Sequence, residues 1–167
     1  KIDGSINFLN NFKKRSNSKI KLKLFKENIK VGLIKVHPNM YAKEFEAYKG
    51  FNGLLIEGTG LGHAPINKID KETSEHVRIL NSIKTLAKKI PVAMSTQTIS
   101  GRIDMNVYST GRLLQEAGVI GNYSDVHPET AFIKLAWLIS NHQKDIKKLF
   151  TENLRGEISK RSQYGQL

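Results

Sequence analysis

The residues best placed for chemistry lie in a glycine-rich stretch, FNGLLIEGTGLGHAP, at positions 51–65. Its apolar half gives way to three alternating glycines and then a histidine: Gly58, Gly60, Gly62 and His63. A short apolar run that ends abruptly in glycine predicts a buried strand followed by a tight loop. Because ligands of open α/β sheets bind at loops on the carboxyl ends of strands, we expect this loop to form part of a functional site.

The remaining motifs exclude several kinds of catalysis. The glycine pattern is G-x-G-x-G followed by a polar stretch at 64–71, whereas the dinucleotide-binding fingerprint is G-x-G-x-x-G opening into a helix. The sequence has no cysteine, no G-x-S-x-G and no H-E-x-x-H motif, and its five histidines are not spaced as a metal-binding pair. We therefore predict no catalytic residue, no metal site and no cofactor in this chain.

Other polar residues are expected beside the glycine loop. Gln97 and Thr98 follow a later apolar run, and Asp104 comes shortly after them. The strand ends would gather these three side chains with His63 along one rim of the sheet. Simpler roles stay open for His63, as a surface histidine that only forms hydrogen bonds, and for Asp104, as a helix N-cap. Glu57, at the end of its strand, is expected to accept N–H groups of the glycine loop.

Apolar periodicity predicts alternating strands and helices along the chain. The expected strands span residues 31–36, 51–56, 91–94 and 119–120. The expected helices span residues 41–48, 74–90, 104–117, a stretch from 127, and 143–154. This alternation is typical of the α/β class, here a small parallel sheet of about four strands flanked by helices on both faces.

The N-terminal part of the chain differs from the rest. Ile20, Leu22 and Leu24 alternate with lysines, which predicts a half-exposed edge strand after a linker. We expect three parts: a linker and edge segment at 1–29, the domain at 30–160 and a polar tail at 161–167. The sequence starts at Lys1 without an initiator methionine, which we interpret as a sign of a fragment or a processed product.

Charge and composition indicate the cellular setting. The chain of 167 residues has a formal net charge of +12, and its first 30 residues supply +7 of it, from nine basic and two acidic residues. A basic end of this kind suits contacts with RNA phosphates and equally suits a well-solvated surface. The sequence has no apolar run of 18 residues, no signal peptide and no cysteine, which together predict a cytoplasmic protein with no membrane association.

Three segments together resemble one known family. They are LLIEGTGLGHAP, VAMSTQTISGRIDMNVYSTGRLLQEAGVIG and DVHPETAFIKLAWLIS. In this order they resemble the C-terminal domain of the asparaginase/glutaminase family, and within it most closely the glutaminase subunits of archaeal tRNA-dependent amidotransferases. The resemblance covers about residues 30–160. It implies an α/β fold like that of the asparaginase C-terminal domain.

The resemblance also implies where the chemistry lies. The family's amidase uses two threonines, an aspartate and a lysine, all in an N-terminal asparaginase-like domain, so this chain alone is expected to be inactive. Active sites in the family lie at a homodimer interface, bordered by the neighbour's C-terminal domain. By motif, His63 matches the asparagine of a G-N-A-P turn and Asp104 the asparagine of N-M-x-x-Y, while Thr98 stands where cysteine is common. With Gln97, these residues are expected to contribute to the substrate site or the interface.

The function implied by the resemblance is hydrolysis of glutamine to ammonia. A partner protein, the E subunit of the amidotransferase, would use ATP and Mg²⁺ to activate Glu-tRNA(Gln) and would convert it with that ammonia to Gln-tRNA(Gln). The expected partners are therefore an N-terminal asparaginase-like domain, a second copy of the chain, the E subunit and tRNA(Gln). Two alternatives stay open: a fragment of a stand-alone type I L-asparaginase, and a noncatalytic α/β domain that binds a small ligand or RNA.

Overall fold

A three-stranded parallel sheet lies at the centre of the computed structural model, which describes Gly4 and residues 14–161. The strands lie in the order β1 (Val31–Lys35), β2 (Gly53–Gly58), β3 (Val92–Thr96). The helices are α1 (Ala42–Glu46), α2 (Glu75–Ala87), α3 (Ser109–Glu116), α4 (Pro128–Asn141) and α5 (Ile146–Leu149). The predicted linker at 1–3 and 5–13 and the tail at 162–167 lie outside the described residues.

Helices cover both faces of the sheet. Leu54 and Ile56 of β2 belong to the core formed with α1 and α2, whereas Leu55 belongs to the core formed with α4 and α5. Successive side chains of a strand point to opposite faces, so a strand covered on both sides is apolar throughout. All three residues are fully buried. The predicted class, a parallel α/β sheet flanked by helices on both faces, is confirmed.

The predicted fourth strand is reduced to a single bridge. Ile120 pairs in parallel with Ala93. Its carbonyl accepts the Met94 N–H (2.8 Å), and its N–H donates to the Val92 carbonyl (2.9 Å). Gly121 follows with a φ of +117°, and a Cβ there would lie 2.6 Å from the Met94 carbonyl oxygen. The chain turns away from β3 at a position that requires glycine, so the described sheet has three strands.

The predicted edge strand at residues 19–24 is wrong. This segment lies outside the sheet and runs over α4. There the Trp137 Nε1–H donates to the Lys23 carbonyl (3.2 Å), and the Asn141 side-chain amide donates to the Leu24 carbonyl (3.1 Å). The segment forms no helix, turn or bend, and side chains of α4 supply the Lys23 and Leu24 carbonyls with hydrogen bonds that a neighbouring strand could have supplied.

The helices match their predicted positions with two exceptions. α3 begins at Ser109, with the extended Tyr108 as its N-cap residue, and not at Asp104. Asp104 instead accepts the Asn106 N–H (3.1 Å) in a local turn, the alternative that Asp offers to a helix. α5 spans only four residues of the predicted 143–154. It starts late because a turn precedes it, in which the Asp145 N–H donates to the His142 carbonyl (3.0 Å).

A buried ion pair fastens the C-terminal segment to α4. Lys134 is 7% exposed, and its Nζ donates to the Glu157 carboxylate (2.7 Å) and to the Glu152 carbonyl. Burial acts to raise the pKa of Glu157, but hydrogen bonds from Lys134 and from backbone N–H groups outweigh it and lower that pKa to about 2. The neighbouring Ile158 is buried in the same core as α4, so this segment is an integral part of the domain.

Glu157→Gln should lower the free energy of unfolding at pH 7 by roughly 2 kcal/mol, because charged hydrogen bonds to a buried ammonium group become neutral ones. The folded-state pKa lies below the ordinary value of 4.5. The stabilisation is therefore complete above pH 4.5 and is lost as the pH falls towards 2. Urea unfolding across this range measures it, with the exposed Glu129→Gln on α4 as the control. A stability difference that does not shrink with falling pH would contradict the assignment.

Candidate functional site

The glycine loop closes on itself at the carboxyl end of β2. Thr59 and His63 form an antiparallel bridge. The Thr59 N–H lies 3.0 Å from the His63 carbonyl oxygen, and the His63 N–H lies 2.9 Å from the Thr59 carbonyl oxygen. The Gly62 N–H also donates to Thr59, at 3.0 Å. This small hydrogen-bonded ring fixes where the His63 side chain leaves the backbone.

Close packing explains two of the three glycines. A Cβ at Gly58 would lie 2.6 Å from Met94 Sδ, and one at Gly62 would lie 2.8 Å from Ile103 Cγ2. Gly60 has open space around it, but its φ of +49°, like the +96° of Gly62, is one that glycine adopts readily. The loop therefore lies directly on β3 and on the segment around residue 103.

His63 is held in a partly buried pocket at the start of α3. Its Nδ1 lies 2.9 Å from Thr110 Oγ1, and its ring meets the Tyr108 ring edge-on with centroids 5.3 Å apart. The Nε2 atom is buried and has no hydrogen-bond partner in the part of the chain that the structure describes. Burial lowers the pKa of His63 below its ordinary 6.5, so the ring is neutral at pH 7. A buried ring nitrogen without a hydrogen-bond partner is unusual, so His63 is a candidate to bind a polar group that enters this pocket.

Asp104 lies beside the same loop. Its N–H donates to the Leu61 carbonyl at 3.1 Å, which joins the 103–106 segment to the glycine loop. Asn122 also supports this segment, since its side-chain oxygen accepts the Met105 N–H (2.8 Å). The Asp104 carboxylate is half-buried and accepts the Asn106 N–H, so its position is fixed by local hydrogen bonds. Asp104 thus neighbours His63 through Leu61 and caps no helix.

Thr98 reaches the loop through a second threonine. The Thr98 N–H donates to Thr96 Oγ1 at 3.2 Å, and the two hydroxyl oxygens lie 3.1 Å apart. Thr96 Oγ1 in turn donates to the Gly60 carbonyl. The Thr98 side chain is exposed and Thr96 is buried, so the buried threonine holds the loop and the exposed one is accessible.

Gln97 braces the ends of two strands. Its Nε2 donates to the Val36 carbonyl (2.6 Å) and to the Glu57 carbonyl (3.0 Å), which uses both amide hydrogens on the backbone. This arrangement gives Gln97 a positioning role at the rim. The Glu57 carboxylate pairs with Lys35 (3.2 Å), which differs from the expected acceptance of glycine-loop N–H groups.

The structure brings His63 and Asp104 to one loop, with Thr98 linked to it through Thr96. The contacts of His63 with Tyr108 and Thr110 were not anticipated from the sequence. The available signal was the segment NVYSTG, which places both residues at the first turn of α3, next to the rim. Among the described residues, no group of three or more metal-ligating side chains occurs, and no helix has the length and apolar character to cross a membrane.

The fold and the loop geometry together define an α/β domain in which the glycine loop lies at the carboxyl end of β2. Residues 30–150 match the sequence model of the glutaminase/asparaginase C-terminal domain. The chain therefore belongs to this family.

Curated relatives share one name, that of the D subunit of glutamyl-tRNA(Gln) amidotransferase. The protein of Thermofilum pendens is 44% identical over 140 residues, which is 81% of this chain and 28% of the relative. That of Methanococcus maripaludis is 40% identical over 92% of this chain and 35% of the relative, and that of Pyrococcus furiosus 39% identical over 94% and 34%. The chain thus spans roughly a third of the length of these relatives.

Similar folds occur in solved asparaginases. The thermostable L-asparaginase of Thermococcus kodakarensis superposes with a TM-score of 0.67 at 28% identity, over 78% of this chain and 38% of that one. L-asparaginase I of Vibrio cholerae superposes with a TM-score of 0.71 at 26% identity, over 87% of this chain and 42% of that one.

We predict that His63 and His37 titrate on opposite sides of the ordinary histidine pKa of 6.5. Burial lowers the pKa of His63, whereas hydrogen bonds to the Pro38 carbonyl and the Glu44 carboxylate raise that of His37. As pH falls through 6.5, the unfolded chain takes up a proton at residue 63 before the folded chain does, so this histidine lowers stability in acid. Imidazole NMR titration measures both values, and His37 serves as the internal control. A His63 midpoint above that of His37 would contradict the described burial.

Proposed function

We propose that this chain is the C-terminal domain of the glutaminase subunit of a tRNA-dependent amidotransferase. The observation that carries the proposal is the identity of 39–44% with relatives of that name over most of this chain. The solved L-asparaginases are 26–28% identical, which favours the amidotransferase over a stand-alone asparaginase. The reaction of the whole protein would be hydrolysis of glutamine to ammonia in a cytoplasmic enzyme complex.

The catalytic groups of that reaction would come from outside this chain. In the proposed assembly an N-terminal asparaginase-like domain supplies the threonine nucleophile and its partners. The E subunit of the complex uses ATP and Mg²⁺ to activate Glu-tRNA(Gln), and the ammonia converts it to Gln-tRNA(Gln). This chain would complete the glutaminase as part of a homodimer and would be inactive alone.

The rim of this domain would border the active site of the neighbouring subunit. The neutral His63 would offer its unsatisfied Nε2 to a polar group of the substrate or of the neighbour. The Asp104 carboxylate, beside the same loop, supplies negative charge that suits an ammonium group of a free amino acid. Thr98 is exposed at the rim and would contact the neighbour, while Gln97 would act by holding the strand ends in register.

Reconstitution tests the proposed function. We expect glutaminase activity when this chain is combined with an asparaginase-type N-terminal domain, and we expect that activity to rise when the E subunit and Glu-tRNA(Gln) are added. The chain without that domain should show none. Partner-independent hydrolysis of asparagine would favour the asparaginase alternative. Absence of activity in every mixture, with folding verified by circular dichroism, would contradict the proposal in favour of a binding domain.

Substitution of His63 tests its place at the active site. His63→Ala in the assembled enzyme should lower kcat/KM for glutamine by about tenfold or more, the effect of losing one hydrogen bond in a desolvated site. His63→Asn, which keeps a polar side chain, should retain more of the activity. His142→Ala is the control, because His142 directly follows α4 and contacts Lys23, away from the glycine loop. Unchanged kinetics in His63→Ala would show that His63 does not contribute to glutamine hydrolysis.

A further inference from the structure

A groove away from the glycine loop combines apolar and basic side chains. It lies between residues 21–25 and α4 and has a volume of about 610 Å³. Its apolar lining comprises Leu22, Phe25, Ile133, Trp137 and Leu154. Three of these are strongly exposed: Leu22 at 74%, Phe25 at 46% and Ile133 at 56%. Single exposed apolar residues are common, but a contiguous set in one groove marks an interaction surface.

The segment that forms one wall of the groove has a free backbone edge. Residues 19–22 form no helix, strand, turn or bend, and none of their backbone groups has a hydrogen-bond partner in the described part of the chain. The segment is nevertheless anchored just beyond, where Trp137 and Asn141 donate to the Lys23 and Leu24 carbonyls. An anchored segment outside any helix, with unpaired N–H and C=O groups, is a template for an added strand.

The side chains of residues 19–24 alternate between apolar and basic, and an added strand would have to match this alternation. Ile20, Leu22 and Leu24 are 90%, 74% and 69% exposed, and they alternate with lysines. Residues two apart point to the same side of a paired strand, so on pairing the apolar side chains would form one row and the lysines another. A strand lying beside them would place its own alternating side chains against both rows.

The charge of the groove is positive. Lys21, Lys23 and Arg155 line it. Among its described lining residues the acidic side chain is Glu157, which Lys134 already neutralises at 2.7 Å. A second copy of this chain would bring the same cations against these, and like charges facing each other are unfavourable.

The positive charge of the groove would attract either a nucleic acid or an acidic polypeptide, and the exposed aliphatic side chains distinguish between these two. A nucleic acid would satisfy the lysines, but it would leave Ile20, Leu22 and Leu24 in water, since phosphates and sugars bury little aliphatic surface. A polypeptide strand that alternates acidic and apolar residues would pair with the lysines, cover the aliphatic row and use the free backbone edge at once.

We propose that residues 19–24 and the adjoining face of α4 bind an extended, acidic and apolar strand of a different polypeptide chain by β-augmentation. This binding site is separate from the glycine-loop rim and does not depend on the catalytic assignment made above. Main-chain hydrogen bonds from residues 19–22 would provide the pairing, and the groove around Leu22 and Ile133 would select apolar side chains.

The test uses the full chain and a synthetic peptide of about eight residues that alternates glutamate with valine. We expect NMR shifts confined to residues 19–25, α4 and residues 154–157, with new hydrogen-exchange protection of amides 19–22. A lysine–valine peptide and a glutamate–valine peptide interrupted by two prolines should each bind about tenfold more weakly, because the first reverses the charge pairing and the second removes backbone donors.

Matched variants locate the binding. Leu22→Glu and Ile133→Glu should each weaken binding by about tenfold, the effect of losing one buried aliphatic contact and adding like charge. Both positions are largely exposed, so the fold should persist, and circular dichroism verifies it. Ile69→Glu is the control, because Ile69 is 83% exposed and lies outside the groove.

Three results would overturn the proposal. The first is no binding of the glutamate–valine peptide at about 1 mM, the weak limit of specific recognition. The second is tighter binding of a mixed-sequence RNA oligonucleotide that Leu22→Glu abolishes, which would assign the groove to nucleic acid. The third is dimerisation of the chain in sedimentation that the same variant abolishes, which would assign the surface to a second copy.

Discussion

The burial of β2 on both faces is the constraint on which the rest of the structure depends. Three successive residues of β2 have no exposed surface: Leu54, Leu55 and Ile56. Helices must therefore cover both faces of the strand, and a loop can begin only where the strand ends. At that edge Met94 lies so near that Gly58 cannot carry a side chain. The glycine loop is therefore a consequence of packing, and it delivers His63 to a fixed position.

Sequence periodicity predicted the elements whose burial is determined by their own side chains. The three strands and α1, α2 and α4 lie where apolar spacing placed them. One error falls where a non-local partner decides the structure, and another where a local side-chain hydrogen bond does. Residues 19–24 have the alternation of a strand, but side chains of α4, Trp137 and Asn141, donate hydrogen bonds to the carbonyls of residues 23 and 24. The start of α3 moved from Asp104 because a carboxylate that accepts a nearby N–H favours a turn over a helix.

The candidate site was predictable in its location but not in its internal contacts. The rule that loops at carboxyl ends of strands gather together indicated His63, Gln97, Thr98 and Asp104. No local pattern indicates that Gln97 uses both amide hydrogens on the Val36 and Glu57 carbonyls, because those acceptors lie 61 and 40 positions away in the sequence. The contact between His63 and Thr110 likewise joins residues 47 positions apart in the sequence, a separation that periodicity does not address.

Packing also determines the charge state of the site. The chain has a net charge of +12, which could have lowered the pKa of a histidine by repulsion, yet burial is the cause of the lowering at His63. The first 30 positions supply +7 of that net charge, and within them Lys23 contacts His142 at the end of α4. Gly62 packs too closely on Ile103 to carry a side chain, and the next residue, His63, lies against Tyr108 and Thr110, where burial keeps its ring neutral.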